Sequence, residues 1–154
     1  MSRRPDGRRP RAGFSLIELL TVFVMLGVMA ALTAGRISQV ITRQRVNRAA
    51  IALSNDWQAA YALAQRDRKP MQIKYDSSKV QFSVQDRSGT VFRRLSLSSF
   101  NLTNSGVTMS RSSLEIYPVG LAQDSISVTL SETAGTTTYK HTVRMTRGGL
   151  VQVK

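Results

Sequence analysis

The chain has 154 residues, room for one small domain beside an apolar segment, and a formal net charge of +13. It contains no cysteine, which excludes disulfides, thiolate metal sites and cysteine nucleophiles. Its single histidine, His141, argues against a histidine-ligated metal or a histidine-based triad. The sequence therefore predicts a protein that is not an enzyme, with no catalytic residue, no metal site and no cofactor. The positive charge suits anionic lipid, acidic proteins or nucleic acid and does not choose among them.

The chain begins with a basic leader, residues 1–13, in which five arginines face one acid, Asp6. An apolar run at residues 14–36 follows, and its one carboxylate is Glu18. As a helix rising about 1.5 Å per residue, this run reaches about 30 Å and can cross a bilayer. The leader's arginines favour a cytoplasmic N-terminus, with everything after the run on the far side of the membrane. Four arginines at and beyond the far end of the run count against this orientation: Arg36, Arg43, Arg45 and Arg48.

Two plainer interpretations of this N-terminus stay open. A secretory signal peptide would have an uninterrupted apolar core and a small-x-small cleavage site. Glu18 interrupts the core, and the segment 31–34 (ALTA) lacks a convincing small residue at both required positions. The other interpretation is a plain single-pass anchor, in which Glu18 is incidental.

Residues 37–69 continue the helix as an amphipathic segment, because their apolar positions recur in steps of three and four. No proline lies between Pro10 and Pro70, so we expect one unbroken helix that ends near 66–69, where basic residues suit a helix C-terminus. The apolar stripe comprises Ile37, Val40, Ile41, Val46, Ala50, Leu53, Trp57, Tyr61 and Ala64.

Residues 70–154 change to an alternating pattern, which predicts strands. The turn at 86–89 (DRSG) indicates a hairpin, and the serine-rich segment 96–113 is poorly determined. The prediction is an α+β fold: a long N-terminal helix packed, through its 46–64 stripe, on a mainly antiparallel β head. The expected strands are 71–75, 80–84, 91–97, 107–111, 114–117, 125–130, 139–145 and 150–153.

The leader, Gly13-Phe14, Glu18, the long helix and the β head together resemble the type IV pilin superfamily. The second half is similar to the minor pseudopilin H family of type II secretion (GspH), which is shared with FimT-type minor pilins. The segments that carry this second resemblance are 114–120 (LEIYPVG), 125–128 (SISV) and 143–151 (VRMTRGGLV).

This resemblance implies that a membrane prepilin peptidase cuts between Gly13 and Phe14 and then methylates the new amine of Phe14. It also implies that the carboxylate of Glu18 meets the Phe14 amine of a neighbouring subunit in a stack of helices. The implied partners are the prepilin peptidase, other pseudopilins or pilins, inner-membrane lipid and secreted cargo. The implied location is the bacterial inner membrane, single-pass, with the head in the periplasm. In this family the subunit at the extreme tip often lacks the glutamate, so Glu18 argues against that role.

Several other residues have ordinary structural interpretations. Trp57 and Tyr61 lie one turn apart on the apolar stripe and are expected to pack between helix and head. His141 shares strand parity with Val143 and Met145, which predicts a histidine tucked towards the core. Three aspartates at strand ends are interpreted as turn formers and not as calcium ligands, because they lack a tight D-x-D spacing: Asp76, Asp86 and Asp124.

Lys140 and Arg144 alternate on one strand, with Arg147 just beyond, and Arg93-Arg94 and Arg111 stand elsewhere. A solvated strand face is the simpler interpretation, and an anionic-polymer site is the alternative. FimT-type relatives are associated with DNA capture in natural transformation. The sequence thus predicts an H-type minor pseudopilin of the type II secretion pseudopilus, with a FimT-like, DNA-binding minor pilin as the alternative function.

Overall fold

The computed structural model describes residues 15–154, and the side chains of this range apart from 33–35. The leader, Gly13 and Phe14 lie outside the described residues. Helix α1, Leu16–Asp67, begins after Ser15, whose hydroxyl accepts a hydrogen bond of 3.2 Å from the backbone N–H of Glu18. This is the usual way in which serine caps a helix N-terminus.

Helix α1 ends at Asp67, within the range 66–69 that the sequence predicted. Arg68 takes a left-handed conformation with a φ of 50°. Pro70 cannot continue a helix, because it lacks a backbone N–H. Arg66 lies in the last turn, where a cation suits the negative end of the helix dipole.

The chain divides into two compact units, Met1–Arg36 and Ile37–Lys154. In the described part of the first unit, the side chains from Leu16 to Leu32 are all exposed. Among the described residues one helix is long and apolar enough to cross a membrane, by its length and composition. An apolar surface of this kind is unusual on a soluble monomer, and lipid or neighbouring helices would cover it.

The second unit contains eight strands, which form two four-stranded antiparallel sheets. Sheet A has the order β3-β2-β1-β5 and sheet B the order β4-β6-β7-β8. The α+β fold with an antiparallel head is therefore confirmed. The strands are β1 Met71–Asp76, β2 Gln81–Asp86, β3 Val91–Ser96, β4 Val107–Met109, β5 Ser113–Ile116, β6 Ile126–Ala134, β7 Thr137–Met145 and β8 Val151–Val153.

Some predicted strand limits were wrong. Val80 was placed in a strand, but it has a φ of 49° and belongs to the turn before β2. Strand β4 stops at Met109, so Arg111 lies outside the strands, whereas β6 continues past Leu130 to Ala134 and pairs with β7 along its whole length. The serine-rich segment forms two short 3-10 turns, Leu97–Phe100 and Asn104–Gly106.

The core of the second unit lies between α1 and the two sheets. The stripe prediction is confirmed from Val46 to Ala64, but Ile37, Val40 and Ile41 are exposed. Trp57 is fully buried, and its ring meets Phe82 of β2 edge to face, with the ring centroids 6.4 Å apart. Edge-to-face aromatic pairs of this kind add about 1 kcal/mol beyond their burial.

Candidate functional site

The first candidate site is the start of α1. Glu18 lies in the first turn with an exposed side chain, and Ser15 caps its backbone N–H. An acid at this position is favourable, since the first turn carries the positive end of the helix dipole. The predicted cleavage and methylation residues, Gly13 and Phe14, lie outside the described residues, so their contacts with Glu18 stay predictions.

The second candidate is the outer face of sheet B. In β7, Val143 and Met145 are fully buried, whereas Lys140 and Arg144 are exposed, as their alternation predicted. Arg144 stands opposite Ser127 of β6 and Gln152 of β8. The outward side chains around the two cations are therefore six hydroxyl residues and one amide, with no aromatic ring among them: Thr108, Ser110, Ser127, Thr129, Ser131, Thr142 and Gln152.

A cleft of about 660 Å³ crosses this face, with the cations Arg111, Arg144 and Lys154 in its lining. Asp124 also lines it and forms an ion pair with Arg111, which removes part of the positive charge. The cationic side chains that line the cleft come from residues far apart in the sequence. The cleft can hold an anion through Arg144 and Lys154, which have no acidic partner among the described residues.

The remaining basic residues are not gathered on this face. Arg93 and Arg94 belong to β3 of sheet A, and Arg147 lies in the turn after β7. Arg93 faces α1, where its Nε and Nη2 both donate to one oxygen of Asp56, at 2.9 and 2.6 Å. The basic surface is thus smaller than a count of arginines suggests.

The Asp56–Arg93 pair was not predicted from the sequence. The Asp56 side chain is 10% exposed and that of Arg93 is 49% exposed, so the pair closes the edge of the core. One feature of the sequence could have indicated this pair. Asp56 stands inside the apolar stripe, between Leu53 and Trp57, where burial of an unpaired carboxylate would cost free energy. Such an acid needs a basic partner, but the sequence does not say which of the many arginines supplies it.

Asp76 and Asp86 act in turns, as predicted, whereas the side chain of Asp124 forms an ion pair with Arg111. Asp76 accepts hydrogen bonds from the backbone N–H and the hydroxyl of Ser78, at 3.0 and 2.6 Å. The hydroxyl of Ser88 holds the pKa of Asp86 below its usual value, and the backbone N–H of Thr90 lowers it further. Within residues 15–154, no group of three or more potential metal ligands was found.

Tyr61 packs as predicted. It is buried, its hydroxyl donates to the Thr146 carbonyl at 3.4 Å, and burial raises the pKa of its phenol. His141 is only half-buried, and its Nδ1 is buried without a hydrogen-bond partner. It lines a cleft of about 440 Å³ with Val40, Arg43, Gln44 and Asn47 of α1. The prediction of a histidine tucked towards the core holds only in part, because His141 lies beside α1 but is half-buried.

The architecture as a whole can be compared with known folds. One long helix, apolar and exposed in its first part and packed in its second part on an antiparallel β head, is a pilin-like fold. It matches two crystal structures of the type IV minor pilin FimU from Pseudomonas aeruginosa (strain PAO1), in space groups P21 and P65. The first shares 17% identity over 73% of this chain and 90% of that chain, with a TM-score of 0.57. The second shares 16% identity over 70% and 91%, with a TM-score of 0.54.

The N-terminal sequence adds a second, independent finding. Residues 8–34 match the family model described as the prokaryotic N-terminal methylation motif. No curated protein sequence matches the chain. The motif and the fold together support the type IV pilin superfamily, a family of structural proteins not known as enzymes. The resemblance drawn from the sequence is confirmed at this level.

Proposed function

We propose that the protein is a non-catalytic minor subunit of a pilin-type filament, specifically an H-type minor pseudopilin of the type II secretion pseudopilus. One observation carries the filament role: a single helix joins a fully exposed apolar segment to a β head that has its own buried core. Such a subunit can wait in a membrane and later enter a filament, where neighbouring helices replace the lipid.

We further propose the processing steps and the boundaries that follow from them. Residues 1–13 are the leader that prepilin peptidase removes, and Phe14 is the new, methylated N-terminus. Residues 14–36 cross the inner membrane and later form the filament core, 37–69 continue the helix, and 70–154 form the periplasmic head. Other pseudopilins, inner-membrane lipid and secreted cargo are the proposed partners.

Glu18 supplies the assembly contact in this proposal. Burial of a carboxylate among apolar side chains in lipid costs free energy, and an ion pair with a positive group lowers this cost. The amine of Phe14 in a neighbouring subunit is such a group. Because either charge alone would be stranded in a medium of low dielectric, the pair favours one register between stacked helices.

Substitution of Glu18 tests the assembly role. Glu18→Leu makes the helix more apolar, so membrane insertion should hold or improve, while incorporation into the filament and secretion of cargo should fall. Thr21→Leu is the matched control, since its hydroxyl bonds only the Ile17 carbonyl, at 2.8 Å, and no charge is removed. The proposal fails if Glu18→Leu secretes cargo and co-purifies with other subunits as the unsubstituted protein does.

A FimT-like minor pilin that binds DNA is the second candidate. The observation in its favour is the cleft on sheet B, where Arg144 and Lys154 have no acidic partner among the described residues. Phosphate oxygens would suit these cations and the surrounding hydroxyls. The lack of aromatic side chains beside them counts against stacking of single-stranded bases. The likeness to a type IV minor pilin is compatible with both candidates. Deletion of the gene, scored for secretion and for DNA uptake, separates them.

A further inference from the structure

Two tight turns adjoin each other on the head. One lies between β5 and β6, where the Tyr117 carbonyl accepts from Gly120 N–H at 3.0 Å and the Tyr117 N–H donates to the Leu121 carbonyl at 2.8 Å. The other lies between β7 and β8, where the Thr146 N–H donates to the Leu150 carbonyl at 2.9 Å. The turns are joined, because the Ala122 N–H donates to the Arg147 carbonyl at 2.8 Å.

Helix α1 holds both turns in place. Gly149 has a φ of 85°, and a Cβ there would lie 3.1 Å from the Tyr61 ring. Gly120 has a φ of 78°, and a Cβ there would lie 2.9 Å from the amide nitrogen of Gln65. Since the close contacts with Tyr61 and Gln65 and the hydrogen bonds of the turns hold the backbone, these turns need little further ordering when they bind a partner.

The turns present aliphatic side chains to solvent. Val119 is 78% exposed, Leu121 47% and Leu150 57%. Turns usually carry small or polar residues at such positions, because nothing buries them. The two joined turns thus carry three large exposed aliphatic side chains, and exposed apolar side chains that cluster mark interaction sites.

The positive charge of this part of the chain restricts which partner can cover the exposed side chains. Arg147 lies on the same turns, is exposed and has no acidic partner among the described residues. From Ile37 to Lys154 the sequence holds 16 basic and 7 acidic residues. Five of those acids are already in ion pairs within the chain: Asp56, Asp67, Asp76, Glu115 and Asp124. A second copy would therefore bring like charges together, whereas an acidic partner would be attracted.

Together, Val119, Leu121, Arg147 and Leu150 are called the turn surface. We propose that the turn surface docks the head of a different pilin-type subunit, and that the contacting patch of this partner is apolar with an acidic rim. This inference rests on the proposed function, because it requires a filament with other subunits. A membrane surface is less suitable as the occupant, because the turn surface has no tryptophan or phenylalanine to enter the interface and only one cation.

Photo-crosslinking in the source bacterium tests the turn surface on the full chain. A benzophenone amino acid replaces Leu121, and in separate strains Thr136 of the exposed β6–β7 turn or Val24 of the apolar helix. Captured proteins are identified by mass spectrometry. The expected capture at Leu121 is a protein that carries an N-terminal methylation motif and an acidic head, with little capture at Thr136. Crosslinking to another subunit at Val24 shows whether the chain enters a filament.

Substitutions outside the crosslinking position show whether the capture depends on the surface. Val119→Ser with Leu150→Ser, and separately Arg147→Glu, should each lower capture at Leu121 by roughly tenfold, as loss of central contacts does in other interfaces. Arg94→Glu is the matched charge reversal away from the surface and should leave capture unchanged. Emission from Trp57, the single tryptophan, checks that each variant is folded.

The outcomes separate this inference from the proposed function. The turn-surface proposal is wrong if Val24 captures another subunit but Leu121 captures nothing, lipid or a second copy. The proposed filament role would still stand in that case. Equal reductions by Arg94→Glu and Arg147→Glu would also overturn the turn-surface proposal. If neither Val24 nor Leu121 captures another subunit, both proposals are wrong.

Discussion

Gly149→Ala is expected to destabilise the head through two separable effects. Gly149 has a φ of 85°, a conformation that L side chains rarely adopt. A Cβ there would also lie 3.1 Å from one carbon of the Tyr61 ring and 3.3 Å from another. Tyr61 is buried, and its hydroxyl bonds Thr146 in the same turn, so the ring cannot move without disturbing the turn.

The two effects have different sizes. Left-handed backbone costs a non-glycine residue roughly 1–2 kcal/mol. Forcing an extra methyl against a packed ring costs roughly 1–2 kcal/mol more, at the low end of overpacking effects. We therefore expect Gly149→Ala to lower the free energy of unfolding by about 2–4 kcal/mol, the sum of both effects.

Gly89 provides a matched control, because its φ is 89° and nothing lies within 4 Å of its added Cβ. Gly89→Ala should show only the backbone effect, about 1–2 kcal/mol. Gly148→Ala, at a site with open space and no left-handed φ, should change little. The assay is urea unfolding of the full chain in a mild detergent, followed by Trp57 emission. Equal losses for Gly149→Ala and Gly89→Ala would refute the packing of this turn on Tyr61.

Three further predictions concern charged groups. Asp56→Ala should lower the unfolding free energy by about 1–2 kcal/mol, because Arg93 loses its partner but is half-exposed and can be hydrated. Asp67→Ala is the control and should not change the unfolding free energy measurably in the same assay. The lowered pKa of Asp86 means that its carboxylate stabilises the folded turn above the unfolded pKa, and this stability is lost as the pH falls through the lower folded pKa. Asp86→Asn should therefore flatten the loss of stability in acid, and identical acid titrations for both proteins would contradict this. Finally, a head fragment from Gln44 should bind DNA weakly, with no gel shift at about 150 mM salt, since diffuse charge releases few counterions. A tight shift that Arg144→Ala with Arg147→Ala abolishes would favour the FimT-like function.

Local patterns were sufficient for the long helix and for most strands. The helix followed from steps of three and four and from Pro70, because both act within a few residues of chain. The β2–β3 hairpin followed from its turn, in which the Asp86 N–H donates to the Thr90 carbonyl at 3.0 Å. The exposed and buried residues of β7 followed from simple alternation.

Features that depend on distant residues could not be predicted. Alternation does not say which strand pairs with which, so the division into two sheets, with β5 beside β1, was not foreseen. Leu102 is buried although it lies in the serine-rich segment, outside every predicted strand. The cleft of Arg111, Arg144 and Lys154 likewise depends on this pairing, because β7 and β8 bring residues from different parts of the chain together.

The N-terminus of the mature protein tests the central claim most directly. The methylation motif covers residues 8–34 and therefore includes the predicted cleavage position. Protein recovered from a host with prepilin peptidase should begin at an N-methylated Phe14 by mass spectrometry, and a bulky residue in place of Gly13 should leave the precursor uncut. Recovery of the intact chain from Met1, or of a chain that begins near Gly35, would contradict the account.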